Sequence, residues 1–427
     1  MQIPQENSDV IRSSFFVHWA AWPFLLAALL YGLPISGELP AQQQFTEQFV
    51  SKVGDDKTLV YIFVHGGLYL LAIVAILKYR SKALYVFMRQ WPLVALTLLV
   101  GFSAFWSNSP WKACINFGHT VGVLMIALSA ALSYRNEPAL LVRFLGYALG
   151  LNVLLSMIAV LAIPQVSIEL HGRWRGLTSN SNVLGQISFT AAWALGMTCL
   201  LKRYRKKFVL IVLLLLTVIS LIGTQSKTAL ICTVLGLSVG YFMIRYSHMG
   251  SSKTLFSIFF FFMTLVFVLL LFFWGNAWED LSPVGMNHLL GRSESYTGRT
   301  KLWTSAIQLI TQKLWLGHGF DDTAGGTNSI RLLNSHNGFL DLAVRGGITA
   351  VLLFLIALWK VIRNIPNISA IQRNAWAIFF PYLLAFLAYN LTESTIMNPR
   401  NLSWTIFMFI AFIVEIQHLP LDNLGKL

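Results

Sequence analysis

Arg173 and Arg175 in HGRWRGL, and Arg292 and Arg299 in GRSESYTGR, stand beside glycines in turn-rich stretches. A guanidinium presents a rigid fork of donors that matches phosphate oxygens. The adjacent glycines, Gly176, Gly291 and Gly298, let backbone come close to the same anion. Lys227 in TQSKTAL adds a cation, read equally well as a lysine reaching for a headgroup. His336 opens HNGFLDL, and imidazole exchanges its proton near neutral pH, which suits it to deprotonate an attacking hydroxyl. A lone histidine is more often structural, so the position of His336 must decide. Asp321-Asp322 could hold a divalent ion, but no second acidic cluster at helical spacing converges on it, and no metal is expected.

These residues sit in a chain built for lipid. Of 427 residues, 56% are hydrophobic and 11% charged, against about 25% charged in soluble domains. Apolar runs of roughly 17 to 25 residues recur, each able to cross about 30 Å of hydrocarbon as a helix. The alternating segments of a barrel are missing. The runs place spans near 15–36, 59–77, 91–105, 113–133, 140–163, 183–201, 208–223, 229–244, 255–274, 338–361, 374–390 and 402–416. The expected fold is all-α: a polytopic membrane protein of about 12 transmembrane helices, with residues 1–427 forming a single integral membrane domain.

A net charge of +14 raises the question of nucleic acid, but most of the 31 Lys and Arg lie between spans, so anionic membrane lipids are the expected partner instead. Lys78, Arg80, Lys82 and Arg89 follow the second span, and Lys202, Arg203, Arg205, Lys206 and Lys207 the sixth. Arg245 with Lys253, and Arg363 with Arg373, follow the eighth and tenth. By the positive-inside rule both termini are then cytoplasmic, and the loops from odd to even spans are external. Met1 to Ser14 is polar and the next apolar run has no small-residue cleavage site, so that run reads as a retained span. Cys114, Cys199 and Cys232 fall inside apolar runs and read as packing residues.

Two external loops break the charge rule: 164–182 with Arg173 and Arg175, and 275–337 with Arg292, Arg299, Lys301, Lys313 and Arg331. Lys301, Lys313 and Arg331 are assigned to headgroups or to acidic neighbours. Arg175, Arg292 and Arg299 are read as ligand-binding, with a lipid pyrophosphate at headgroup level as the natural ligand. His336 closes the long loop where a span begins, and Asn337 beside it could orient a sugar. Glu393 in NLTES, and Asp341 one turn after His336, would orient arginine or histidine. His318 in WLGHGF reads as a loop-shaping residue, and His171 stays open. Trp91, Trp106, Trp111, Trp274 and Trp278 read as interface belt residues. Trp174, between two arginines, and Tyr296 could stack on a sugar face.

Several segments together resemble the O-antigen ligase and polymerase superfamily of bacterial polysaccharide assembly. They are Arg175-Gly176-Leu177 with Asn182 just after, Ser226-Lys227-Thr228 at the head of a span, Gly298-Arg299 with Trp303 downstream, Gly317-His318-Gly319-Phe320, and His336-Asn337-Gly338-Phe339-Leu340 followed by Gly346-Gly347. The set covers about 165–350, in one order and at one face. The resemblance implies a fold of the glycosyltransferase C type in the bacterial inner membrane, with the long periplasmic loop between the ninth and tenth spans. It implies transfer of a glycan from an undecaprenyl-pyrophosphate-linked donor to lipid A core or to a growing glycan, with no cofactor, nucleotide sugar or metal. In that setting His336 is the catalytic base. Arg173, Arg175, Arg292, Arg299 and Lys227 would meet the pyrophosphate, and Asn182, Asn337, Glu393 and Trp174 would position substrate. A compact chain with one dominant external loop favours a ligase over a polymerase. A transporter of the same lipid would place charges at mid-span and show two related halves, and neither feature is visible.

Overall fold

The computed structural model describes residues 19–32, 63–169, 171–201, 208–246, 295–321, 334–364 and 373–417. These residues are mostly helical, and their one extended pairing is a single antiparallel bridge between Ile168 and Trp174. In chain order the helices are α1 (Trp22–Leu30), α2 (Phe63–Leu77), α3 (Arg80–Arg89), α4 (Trp91–Phe102), α5 (Pro110–Ser133), α6 (Pro138–Ala162), α7 (Ser181–Leu200), α8 (Phe208–Thr224), α9 (Lys227–Tyr246), α10 (Ser295–Gln312), α11 (Gly338–Asn364), α12 (Arg373–Tyr389) and α13 (Leu402–Gln417). A proline in the first turn starts α4, α5 and α6, where its missing N–H costs no helical bond.

Five of these helices, α5, α6, α7, α9 and α11, are long and apolar enough to cross a membrane, and a sixth span results if α3 and α4 are taken as one. The remaining expected spans correspond to shorter apolar helices, and the one expected at 255–274 lies outside the described residues. Two elements depart from the sequence expectation. Helix α3 was expected as a basic loop, and it meets α4 at a bend of 86°. Gln90 sits in that bend, buried, and Pro92 has no N–H to carry helical bonding across it. The long loop, for which no helix was proposed, contains the eighteen residues of α10.

Packing is closest among α6, α7, α8 and α9, where small residues let backbones approach: Gly146 faces Leu195, Gly150 faces Leu213 and Gly185 faces Ser226. Helix α13 lies at the centre. Every residue from Leu402 to Ile416 is buried, as expected of a helix that is apolar all round. Its neighbours include α5, α11, α12 and α3. Phe407 stacks on Trp404 and Phe386, and Glu415, 2% exposed, accepts bonds from Gln90 and Asn364 beside Lys360.

Helix α11 breaks at Gly347, where φ is +64°. The WLGHGF turn fills the break. The amides of His318 and Gly319 donate to the carbonyls of Val344 and Arg345 (both 2.8 Å), and the amide of Ile348 donates to Leu314 (2.8 Å). A side chain at Gly347 would meet the Trp315 carbonyl at 2.3 Å, so only glycine fits.

Candidate functional site

The segment before α11 is tied down at almost every residue. The amide of His336 donates to Asn334 Oδ1 (2.7 Å) and that of Ser335 to Asp341 Oδ1 (2.9 Å). Asn337 Oδ1 accepts from the amides of Phe339 (3.0 Å) and Leu340 (3.1 Å), which makes Asn337 the N-cap of α11. His336 itself has a left-handed backbone, φ +53°, uncommon for a residue with a side chain. Trp303 of α10 donates from Nε1 to the Ser335 carbonyl (3.0 Å), which hooks the long loop to this turn.

A second segment, 390–401, lies against the first. Asn390 Oδ1 organises it by accepting from the amides of Thr395 (2.9 Å) and Ile396 (3.1 Å). The amide of Gly338 donates to the Asn390 carbonyl (2.8 Å), and a Cβ on Gly338 would lie 2.2 Å from the Asn390 side chain. Asp341 accepts from the Ser394 hydroxyl as well. Histidine and carboxylate are thereby set face to face.

His336 Nδ1 lies 3.3 Å from Glu393 Oε2. In the tautomer with the proton on Nδ1, that nitrogen donates to the Glu393 carboxylate and Nε2 offers a lone pair. Glu393 Oε1 accepts from Asn182 Nδ2 (3.3 Å), and Asn182 Oδ1 accepts from Arg173 Nη2 (2.8 Å). Arg173 is held in turn by the Thr224 carbonyl (3.2 Å) and by Glu169, 3.8 Å away. The line Arg173, Asn182, Glu393, His336 thus joins three chain segments. It borders a cavity of about 320 Å³ whose polar wall includes Asn182, Gln186, His336, Glu393, Asn398 and Arg400, and whose apolar wall includes Ala27, Leu30, Val123, Ile126 and Leu402. Polar and apolar groups in one lining suit a ligand that carries both a headgroup and a hydrocarbon chain.

Arg175, Trp174, Asn337 and Lys227, also expected at the site, are not in the lining of this cavity. Arg175 is buried at 6% exposure, and its Nε donates to the Val166 carbonyl at 2.5 Å, away from the cavity lining. Trp174 packs on Gly223 of α8 and its amide donates to the Gly223 carbonyl (2.8 Å). Asn337 spends its side-chain oxygen on the helix cap and its Nδ2 on the Leu391 carbonyl (3.2 Å). Lys227 is exposed at the start of α9. Arg299 lies on α10, and Arg292 lies outside the described residues. His318 is buried, with Nε2 2.9 Å from the Leu309 carbonyl, and it anchors the turn under α10. Asp321 accepts from the Ser107 hydroxyl (2.7 Å) and the Ser109 amide (2.8 Å), so its carboxylate fixes the approach to α5.

Arg345 and Arg400 were not among the expected site residues. Arg400 stands in NPRN, between two apolar runs on the external side of the charge pattern, and the reasoning applied to Arg175 finds it equally well. Arg345 is a cation inside an apolar span, a signal of its own.

Residues 210–355 match the family described as O-antigen ligase. About a third of the chain is thus similar to that family. The matched stretch runs from α8 through most of α11 and includes His336, whereas Arg173, Asn182 and Glu393 lie outside it. The O-antigen ligase of Pseudomonas aeruginosa is 28% identical over 109 residues, which is 24% of this chain and 25% of that protein. The similarity therefore spans about a quarter of the relative's length. Both findings are likenesses to the O-antigen ligase superfamily over part of the chain, and the several apolar helices among the described residues accord with a multi-pass membrane protein.

Proposed function

We propose that the protein transfers a glycan from undecaprenyl pyrophosphate to lipid A core at the periplasmic face of the bacterial inner membrane, without a metal and with inversion at the anomeric carbon. The observation that carries this reading is the line from Arg173 through Asn182 and Glu393 to His336 along a cavity with a polar and an apolar wall.

His336 Nε2 takes the proton of the acceptor hydroxyl as its oxygen attacks the anomeric carbon. The bond from that carbon to the pyrophosphate oxygen breaks, and undecaprenyl pyrophosphate leaves with the electron pair. Glu393, 3.3 Å from Nδ1, stabilises the imidazolium that forms. Asn182 and Arg173 fix the carboxylate from behind, and Arg175 and Trp174 fix the loop that presents them. Arg292, Arg299 and Lys227 supply positive charge for the leaving pyrophosphate.

The test is reconstitution in liposomes with lipid-linked glycan and lipid A core, in the presence of chelator. Joined product is expected. A ladder of longer lipid-linked chains in its place would make the protein a polymerase. His336→Ala is expected to abolish transfer while leaving donor binding in place, and full turnover by that variant would remove the imidazole from the mechanism.

A further inference from the structure

A second cavity, of about 130 Å³, adjoins the first and shares Asn398, Pro399 and Arg400 with it. Arg345 and Arg400 line it together with Asn116, Thr120 and Asn398, and no carboxylate is in the lining. No acidic side chain among the described residues forms an ion pair with either guanidinium. Arg345 sits about two turns into α11, a helix long and apolar enough to cross a membrane, where a cation is costly unless it faces an interior polar space. The break at Gly347 follows two residues later, and the Arg345 carbonyl is already committed to the Gly319 amide. Arg400 comes from the 390–401 segment that also delivers Glu393.

We propose that Arg345 and Arg400 form an anion subsite for a phosphate-bearing lipid headgroup, next to but distinct from the histidine cavity. The proposal rests on the transfer reading for its choice of ligand. Two residues with forks of N–H donors line one compact polar space, and Asn116 and Asn398 line it with them. Such a site holds the terminal phosphates of a lipid without a metal, and its shared wall brings the anion to the edge of the space where His336 works. The phosphate could belong to the pyrophosphate of the donor or to the phosphates of the lipid A core acceptor. Both present the same oxygens.

Binding measurements on full-length protein in nanodiscs test this without reliance on turnover. The probes are undecaprenyl pyrophosphate, and lipid A core with and without its phosphates. Arg345→Gln and Arg400→Gln are each expected to weaken one probe about tenfold or more, with thermal stability unchanged, while Arg363→Gln at the opposite end of α11 leaves all affinities as they were. Loss confined to undecaprenyl pyrophosphate assigns the subsite to the donor, and loss confined to the phosphorylated acceptor assigns it to the acceptor. Unaltered affinity for both probes in the double variant overturns the proposal. If the wild-type protein binds a probe through these arginines yet transfers nothing in the reconstituted assay, the transfer reading fails and the subsite stands.

Discussion

The two carboxylate oxygens of Glu393 have different consequences: one faces His336 and the other takes a hydrogen bond from Asn182. Glu393→Gln keeps the shape but removes the charge that favours imidazolium. Single-turnover assays should show the chemical step slowed on the order of 10- to 100-fold, less than the 10²–10⁴ a whole general base contributes, with donor affinity unchanged. An equal loss in affinity and rate would instead make Glu393 a binding residue. His336, Glu393, Asn182 and Arg173 were all legible in the sequence, because each is a polar side chain at the mouth of an apolar run on one side of the charge pattern. What could not be read was how each is spent. Asn337 and His336 are neighbours in a turn, yet one caps a helix and the other lines the cavity, and only the left-handed backbone at His336 separates their directions. Arg175 and Arg173 alternate in the same way on the short bridged segment: Arg175 turns to a carbonyl of its own loop, while Arg173 reaches α7.

At the scale of elements, the decisive join is between the WLGHGF turn and the break in α11. Gly347→Ala would force a Cβ onto the Trp315 carbonyl from a left-handed backbone, a cost of about 1–3 kcal/mol. Thermal unfolding in detergent should show a lower Tm for this variant, and an unchanged Tm would mean that the turn and the helix can separate freely. The apolar runs announced most helices, since length and hydropathy suffice for a span. They did not announce α3, whose run is amphipathic and basic, or the 86° bend that Gln90 and Pro92 make after it. They did not announce α10 either, because its polar sequence shows a helical period only once Leu302, Ala306 and Leu309 find α11 to rest on.

For the molecule as a whole, stability should be concentrated in α13 and its contacts. Trp404 is 1% exposed, stacks on Phe407 and meets Phe354 at a tilt. Trp404→Ala would leave a cavity costing about 3–5 kcal/mol, and a denaturation midpoint within error of wild type would contradict a central role for this helix. The burial of α13 also bears on how the bundle is made. Nothing on α13 from Leu402 to Ile416 faces outward, and the helices that surround it, α3, α5, α11 and α12, all precede it in the chain. During synthesis these helices enter the bilayer before the piece they are to enclose exists. They must therefore wait around a vacant slot, or hold one another loosely enough to part, until the central helix arrives and the assembly closes on it.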